Sequence, residues 1–415
     1  MRIVVCSLNF RPDLTGTGKY TGEMTEWLRS QGHEVFVVTA PPFYPAWKVS
    51  PGYSRWWYRK ERQAGDPSEA IGDEIVYRCP IYVPVRDSGM RRICHLLSFA
   101  FSSAPVLLRL ALKKPDVVFV VEPTFAVAPF AWLSARLSGA KAWLHVQDLE
   151  LDMAFDLGLL RAGFMRRVIS AFERLLMQRF DRVSTISNMM RGQLLQKGVR
   201  LDRVRDFPNW ADIHGIHPLP RPSAMREHLG LGGEAVVVLY SGNMGQKQGL
   251  ETVVEAARLL QGHEHLHFVL CGEGAARGRL EDLASGLSNI KWLPLQPLDQ
   301  LNELLNLADI HLLPQRADAA DRVMPSKVTN MLASGRPVVA TALPGTEVHA
   351  VVSGRGINTP PGDAERFAAA IKQLANEETL RCDYGIAARC YAEKYLRKDS
   401  ILQQFERDLR ALSSA

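Results

Sequence analysis

Several features that would assign the chain to a metal-binding or secreted class are missing from its sequence. Its six cysteines are scattered without a Cys-x-x-Cys pair, and no histidines cluster at the spacing of metal ligands. This pattern argues against structural zinc and favours a reducing compartment. The first residues lead into an apolar segment without a basic-then-apolar leader, so we expect a cytosolic protein.

The length and charge of the chain set broad limits. A chain of 415 residues exceeds the size at which one hydrophobic core stops growing, which favours two domains. Fifty Lys and Arg residues against 44 Asp and Glu residues give a net charge of +6. This mild excess suits anionic partners without requiring nucleic acid.

Short apolar strands alternate with helical segments in two series. The first series is "RIVVCSL", "EVFVVTA", "DVVFVVEP", "AKAWLHVQ" and "RVSTIS", and the second is "AVVVLYSG", "LHFVLCG", "IKWLPLQ", "DIHLLPQ" and "RPVVATAL". A proline-rich, aperiodic join follows residue 207. The rhythm predicts an α/β protein with two doubly wound, Rossmann-like domains facing a cleft. Ligands of such sheets bind outside the carboxyl ends of the strands.

Glycine-rich loops follow three strands of the second series. The first two loops contain Gly242 and Gly272 with Glu273, and the third leads to a helix entry with Ser326, Lys327 and Asn330. A further buried strand is followed by Gly345, Thr346 and Glu347. Glycine lets backbone N–H groups and a helix N-terminus approach an anion. Three such loops, one with a lysine, predict a nucleotide-diphosphate pocket, whereas any one loop alone is equally consistent with a tight turn.

The loop "DLTGTGKYT", residues 13–21, follows the first strand and precedes a helix. It is not a Walker A motif, because Asp13 replaces the first glycine and Tyr20 replaces the magnesium-binding hydroxyl. The loop therefore needs another explanation for its glycines.

Basic and aromatic residues concentrate in "YSRWWYRKER", residues 53–62, and in a long apolar stretch with basic ends, residues 91–114. The second stretch falls short of about 18 uninterrupted apolar residues, so we expect it not to cross a bilayer. Two interpretations stay open: a core helix with a solvated loop, or a face that binds an anionic membrane surface.

Taken in order, the opening glycine loop, "SGNMG…QGLETVVEAA", "NIKWLPLQPLDQLNELLNLADIHLLP" and "PSKVTNMLASGRPVVAT…GTE" resemble the GT-B glycosyltransferases. The resemblance covers nearly the whole chain and points to the large retaining family that uses nucleotide-sugar donors, in particular to bacterial exopolysaccharide enzymes. It implies an acceptor-side domain over 1–207, a donor-binding domain over 208–385 and a C-terminal helix over 386–415 that packs back on the first domain.

The resemblance implies roles for residues of the second domain. Asn243 and Gln248 stand where the family often has Arg and Lys, with Lys247 beside the latter. Arg322 and Asn330 stand at the positions of the family's Glu-x7-Glu pair. Asn330 retains the ability to bind a ribose hydroxyl, whereas Arg322 cannot replace a carboxylate. Lys327 becomes the main candidate for stabilising the leaving diphosphate.

Roles in the first domain also follow from the resemblance. Asp148 stands at the strand end and is the better catalytic candidate, while His145, two residues before the family's usual histidine position, is either catalytic or a satisfied strand histidine. Gly16 and Gly18 are expected to let the backbone approach donor and acceptor, with added charge from Lys19.

The implied activity is transfer of a sugar, with fucose from GDP-fucose as the best candidate, to a lipid-linked oligosaccharide in exopolysaccharide (colanic acid) biosynthesis. We expect no cofactor and no metal, which agrees with the lack of an Asp-x-Asp motif. The expected partners are the nucleotide-sugar donor, the lipid-linked acceptor and the cytoplasmic face of the membrane, without nucleic acid. Two alternatives stay open: an epimerase or hydrolase of the same fold, and an inactive assembly partner.

Overall fold

The computed structural model describes residues 1–13, 16–43, 47–66, 68, 71–84, 89–123, 125–148, 163–245, 248–316 and 325–414. The chain divides into two compact units. The first unit contains Met1–Pro208 and Asp399–Ala415, and the second contains Asn209–Lys398. Each unit has its own sheet, as the two series of apolar strands predict.

The sheet of the first unit contains eight strands within the described residues. These are β1 Arg2–Ser7, β2 Glu34–Thr39, β3 Arg59–Gln63, β4 Glu74–Arg78, β5 Val117–Glu122, β6 Lys141–Val146, β7 Arg182–Thr185 and β8 Val204–Asp206. Their order is β3-β4-β2-β1-β5-β6-β7-β8, and the pairs are parallel except for β3 with β4. The central strands are buried, apolar runs, as expected where helices cover both faces of a parallel sheet.

The helices of the first unit are amphipathic or apolar segments between these strands. They are α1 Gly16–Ser30, α2 Gly89–Ala111, α3 Ala128–Ser138, α4 Phe164–Met177 and α5 Asn188–Gln196. Gly139 ends α3 in a left-handed conformation with φ 75°, which is the common way to close a helix at its C-terminus. The helix therefore turns directly into β6.

The sheet of the second unit contains six strands in the described part of the chain. They are β9 Val236–Ser241, β10 Leu266–Cys271, β11 Ile290–Leu293, β12 Ile310–Leu313, β13 Val338–Thr341 and β14 Gly356–Thr359. The order is β11-β10-β9-β12-β13-β14, and all pairs are parallel. Strand order reverses between β9 and β12, which is where doubly wound sheets bind their ligands.

Eight helices are described in the second unit. They are α6 Met225–His228, α7 Glu251–Leu259, α8 Arg277–Leu283, α9 Leu301–Leu307, α10 Lys327–Ala333, α11 Glu347–Val352, α12 Ala364–Asn376 and α13 Glu378–Tyr395. Helices α7 and α12 pack together on one face of the sheet, where Val253, Val254, Phe367 and Ile371 are fully buried. Burial of this apolar core fixes the positions of the strand ends.

The last helix, α14 Lys398–Ser413, packs on the first unit. Phe405 stacks on Phe207 with ring centroids 4.3 Å apart, and Glu406 bonds His33 Nε2 at 3.1 Å. Helix α13 instead packs on α10 in the second unit. The segment 386–398, grouped with the C-terminal helix in the sequence analysis, therefore belongs to the second unit.

One helix in the described part of the chain, α2 over Met90–Ala111, is long and apolar enough to cross a membrane by length and composition alone. The sequence analysis expected the stretch 91–114 not to cross a bilayer, and that expectation stays a prediction. One face of α2, which includes Phe99, Ser103 and Leu107, is buried. That face packs against α3 and β2, so the helix contributes to the core of the first unit.

The basic and aromatic stretch 53–62 is only partly a loop. Its end forms the start of β3, which pairs antiparallel with β4 at the edge of the sheet. Charged side chains on an edge strand discourage pairing with other chains. The sequence analysis missed β3 because its residues are charged rather than apolar.

Candidate active site

The second unit collects polar side chains where β9 and β12 end. Ile310 pairs with Val238 and His311 with Leu239, so the two strands deliver their loops to the same edge of the sheet. The loop after β9 begins at Gly242, and the loop after β12 contains Gln315. Because the strand order reverses here, this edge is the natural ligand position in the unit.

The loops after β9 and β10 pack directly on each other. The N–H of Gly242 donates to Cys271 O at 3.0 Å, and the N–H of Met244 donates to Glu273 O at 2.8 Å. A Cβ on Gly272 would lie 1.9 Å from Gly242 O. Gly272 is therefore required by contact between the two loops, and its expected role in approaching a diphosphate stays a prediction.

Lys327 is the first residue of α10, and its ammonium points toward the loop after β9. Its Nζ lies 4.2 Å from the centre of the Tyr240 ring and 3.4 Å from Gln248 Oε1. Within the described part of the chain, this ring and this amide are its contacts, and neither carries a negative charge. Burial lowers the pKa of Lys327 to about 7, because desolvation disfavours the charged form.

Gly242 leaves space beside Lys327. Its φ is +137°, and a Cβ there would lie 3.7 Å from Lys327 Cδ and 3.8 Å from Nζ. Any side chain longer than a methyl group would extend toward the ammonium. A glycine at this position thus keeps one side of Lys327 open to a ligand.

Two further polar side chains near this edge have buried oxygens without partners. In the part of the chain that the structure describes, neither Gln315 Oε1 nor Asn330 Oδ1 accepts a hydrogen bond. A buried acceptor without a donor is costly, and hydroxyl or N–H groups of a ligand would satisfy both. Asn330 was expected from its position in the motif, whereas Gln315 was missed by the sequence analysis.

The other residues predicted for this site have mixed surroundings. The Thr346 hydroxyl caps α11 by accepting from His349 N at 3.2 Å, and Glu273 pairs with Arg277 at 2.5 Å. Both side chains therefore have local contacts, and their expected roles in donor binding stay predictions. Asn243, Ser326 and Glu347 lie among the described residues, and their expected roles in donor binding stay predictions. Lys247 and Arg322 lie outside the described residues.

The glycine loop of the first unit differs from its expected form. Gly16 begins α1 with φ +56° and has open space beside it, whereas a Cβ on Gly18 would lie 2.6 Å from Asp13 Cβ. Asp13 is buried. Gly18, in the first turn of α1, is therefore needed for packing against the preceding loop, and its expected role in letting a ligand approach stays a prediction. Lys19 Nζ lies 3.9 Å from Glu23 Oε1, and the added charge expected from Lys19 stays a prediction.

His145 lies in the core of the first unit. Its Nδ1 bonds Ser184 Oγ at 2.9 Å, and its ring stacks on Phe119 and contacts Phe207 edge-on. Burial lowers the pKa of His145 to about 3, which keeps it neutral. The structure thus corrects its place among the catalytic candidates and supports the alternative of a satisfied strand histidine.

Two carboxylates follow the central strands of the first unit. Asp148 is half-buried two residues after β6, and Glu122 is 1% exposed at the last position of β5. Strands β1 and β5 are neighbours where the order of this sheet reverses. Glu122 was missed because it ends an apolar run, and only the strand order shows that it lies at this reversal.

Within the described residues, no three His, Cys, Asp or Glu side chains come together as a metal-binding group. Metal independence of the reaction remains a prediction. The chemistry available from the described side chains is that of a partly desolvated lysine with uncharged hydrogen-bonding neighbours. Such a site favours a group that brings negative charge, such as a diphosphate.

Comparison with known proteins agrees with this architecture. Residues 15–210 match the glycosyl transferase 4-like domain, and residues 235–377 match the glycosyl transferases group 1 domain. The colanic acid biosynthesis glycosyl transferase WcaI of Escherichia coli is 42% identical over 420 residues, which cover 99% of this chain and all of the relative.

Solved structures show the same fold. Sucrose-phosphate synthase from Thermosynechococcus elongatus has a TM-score of 0.75 at 15% identity and covers 100% of this chain and 99% of its own. Anabaena HepE in complex with UDP and glucose has a TM-score of 0.70 at 15% identity, over 99% of this chain and 100% of its own. Together with the full-length relative, these matches place the chain in the GT-B glycosyltransferases of group 1.

Proposed function

We propose that this enzyme is a retaining glycosyltransferase whose nucleotide-sugar donor binds at the β9–β12 edge of the second unit. The observation that supports this most directly is the Lys327 ammonium, which lies beside Gly242 and has an aromatic ring and an amide as its described partners. A diphosphate would supply a negatively charged partner for Lys327, which its described contacts do not provide. The unpartnered oxygens of Gln315 and Asn330 provide acceptors for donor hydroxyls.

The proposed reaction breaks the bond between the anomeric carbon and the diphosphate oxygen. The acceptor hydroxyl attacks the anomeric carbon from the face that the diphosphate leaves, so the configuration is retained. The hydroxyl proton passes to the departing phosphate oxygen, and the products are a glycoside and a nucleoside diphosphate. Lys327 stabilises the charge that develops on the leaving oxygen, and Asp148 in the first unit orients the acceptor.

The donor and polymer are a finer part of this proposal. The E. coli relative is named for colanic acid biosynthesis, and we extend this polymer class to the present chain with GDP-fucose as donor. Incubation with GDP-fucose, GDP-mannose and UDP-glucose, with nucleoside diphosphate release as readout, tests the choice. Release that requires a saccharide acceptor, with retention seen by NMR, supports the proposal. Release without acceptor indicates a hydrolase, and no release with any donor indicates an inactive partner.

We further propose that the acceptor is lipid-linked and that the first unit binds the cytoplasmic face of an anionic membrane. Large apolar side chains form an exposed stripe along α2 and just beyond it: Met90, Leu97, Phe101, Leu108 and Leu112. Their spacing places them on one face of the helix. Arg91 precedes most of the stripe, and Lys113 and Lys114 follow it.

The aromatic stretch lies beside the same helix. Tyr58 donates a hydrogen bond from its hydroxyl to Ser102 O at 2.8 Å, and the neighbouring Trp56 and Trp57 are 66% and 76% exposed. Tryptophan and basic residues around an apolar stripe suit the interface of an anionic bilayer. Each cation near such a surface contributes roughly 1 kcal/mol. Because the opposite face of α2 is buried in the unit, we propose attachment at the surface rather than crossing.

Flotation with liposomes tests this attachment. The protein should rise with anionic vesicles at low salt and stay behind with neutral ones. Leu97→Gln with Leu108→Gln should weaken recovery, as should Arg91→Glu with Lys113→Glu. A matched pair of exposed leucines in the second unit, Leu295→Gln with Leu298→Gln, is the control. Recovery that is the same with both vesicle types, or absent with both, contradicts the membrane proposal.

A further inference from the structure

The loop that follows β12 contains a cation, Arg316, next to the proposed donor site. A Cβ added to Gly249 would lie 3.3 Å from Arg316 N and 3.4 Å from Arg316 Cγ. The backbone of the loop after β9 is therefore in close contact with Arg316. The residue before Gly249 is Gln248, whose amide oxygen accepts from Lys327 Nζ.

The topology explains why Arg316 and Lys327 lie in one neighbourhood. Strands β9 and β12 are adjacent and parallel, so the loops that follow them leave the sheet at the same edge. Gly242 follows β9 and lies against Lys327, while Arg316 follows β12 and lies against Gly249. The loop from 242 to 249 thus contacts one cation near each of its ends.

Two cations contact this loop, and one carboxylate lies shortly after it in the chain. Asn243 and Gln248 are uncharged, and the cations Lys327 and Arg316 both contact described residues of this loop. One carboxylate, Glu251, lies in the first turn of α7 and accepts a hydrogen bond from Arg279. Although burial opposes the shift, this bond and the charges of Arg279 and Arg316 lower the pKa of Glu251.

Gln315 provides an independent sign that this strand end faces a polar ligand. Its N–H donates to Thr341 Oγ1 at 2.6 Å, which fixes the backbone where β12 ends. Its side-chain Oε1 is buried and accepts no hydrogen bond from the residues that the structure describes. The side chain of Gln315 therefore has room for a donor group that the described residues do not supply.

We propose that Arg316 is a second diphosphate-binding residue and that its guanidinium and the Lys327 ammonium together hold the two phosphates of the donor. This inference rests on the proposed function, because it assumes that a nucleotide-sugar binds at this edge. Guanidinium groups match phosphate oxygens with two parallel hydrogen bonds. A diphosphate offers one phosphate to each of the two cations, whereas a single phosphate reaches only one, so a diphosphate gains more from the pair.

Calorimetry on the full-length protein tests the inference with GDP, UDP and GMP as probes. Arg316→Gln should weaken binding of the preferred nucleoside diphosphate by about tenfold or more and change the affinity for GMP much less. Arg316→Lys should recover part of the loss. Arg279→Gln is the matched control, because it removes the other arginine beside Glu251, and it should leave affinity within about twofold.

Three outcomes contradict the inference. In the first, Arg316→Gln leaves diphosphate affinity unchanged while Lys327→Gln abolishes it, which leaves the proposed function standing. In the second, Arg316→Gln and Arg279→Gln weaken binding equally, so that both act by holding Glu251. In the third, the unsubstituted protein binds neither GDP nor UDP, which overturns the proposed function itself.

Discussion

The first glycine loop in each unit joins a buried strand to a helix, yet the two loops have different neighbours. In the first unit, Gly18 packs against the buried Asp13, and a side chain there would collide with it. In the second unit, Gly242 faces the ammonium of Lys327 across a gap that accommodates a methyl group. The comparison shows that a glycine pattern identifies a tight loop, whereas a nearby desolvated cation identifies an anion site.

The largest expected effect comes from removing the cation in the second unit. Lys327→Ala should lower kcat by on the order of a hundredfold or more, because a cation at the leaving diphosphate acts mainly where charge develops. Steady-state kinetics with the preferred donor measures this effect. Lys372→Ala on the exposed side of α12 is the control. A Lys327→Ala enzyme within about threefold of the parent in kcat and kcat/KM would remove Lys327 from the mechanism.

Equivalent substitutions in the two loops should have opposite readouts. Gly242→Val should weaken nucleoside diphosphate binding by more than about tenfold, because its side chain would approach Lys327 and its positive φ disfavours any L-residue. Gly18→Ala should instead lower the melting temperature, with a cost of about 1–3 kcal/mol for the clash with Asp13. Calorimetric titration and thermal scanning on both variants separate the two effects. If Gly18→Ala weakens nucleoside diphosphate binding without a change in Tm, both glycines serve ligand binding and the comparison is wrong.

The pH dependence of donor binding offers a third test. Burial lowers the pKa of Lys327 to about 7 in the free protein, and a bound diphosphate should raise it again. Binding should therefore take up about one proton at about pH 8 and almost none at about pH 6, and affinity should fall as pH rises above 7. Titrations in buffers of different ionisation enthalpy measure this uptake.

Lys327→Arg is the control for the pH test, because arginine keeps its charge throughout this range. The variant should bind without proton uptake. Equal uptake in the parent and in Lys327→Arg would assign the proton to another group.

The last comparison concerns two side chains of the first unit, and His145 should show the smallest effect of all. His145→Phe should leave kcat within about threefold of the parent, because the ring lies in an aromatic core, although the lost bond to Ser184 should lower Tm. Asp148→Asn should reduce kcat by more than about tenfold if the carboxylate orients the acceptor. Steady-state kinetics on the folded variants shows which of the two substitutions lowers kcat more. A larger loss of kcat for His145→Phe than for Asp148→Asn would reverse their roles.

The fold was largely predictable because apolar runs of β-branched residues mark buried parallel strands. All ten predicted strands form, and four of the described strands were missed. β3 is charged, β8 has three residues, and β4 "EIVYR" and β14 "GINT" are short and partly polar. In the second series of strands, the segment "PSKVTN" also identified Lys327 as a candidate from sequence. These features are local in sequence, which is why they could be recognised.

The rest of the site depends on information that is not local. Gln315 and Arg316 became candidates only when the order of the sheet placed β12 beside β9. His145 looked catalytic because a strand position does not reveal which rings pack around a side chain. Thr346 looked like a ligand-binding residue, but its hydroxyl caps a helix. Spatial neighbours, rather than residue types, decide each of these roles.

A crystal structure of the protein grown with its preferred nucleoside diphosphate tests the central claim most directly. We predict that phosphate oxygens lie about 3 Å from Lys327 Nζ, at the edge where β9 and β12 end. Gly18, in the first turn of α1, should still pack against Asp13. A diphosphate held away from Lys327, whether by the loop at Gly16 or by another surface, would contradict the assignment of the donor site to the second unit.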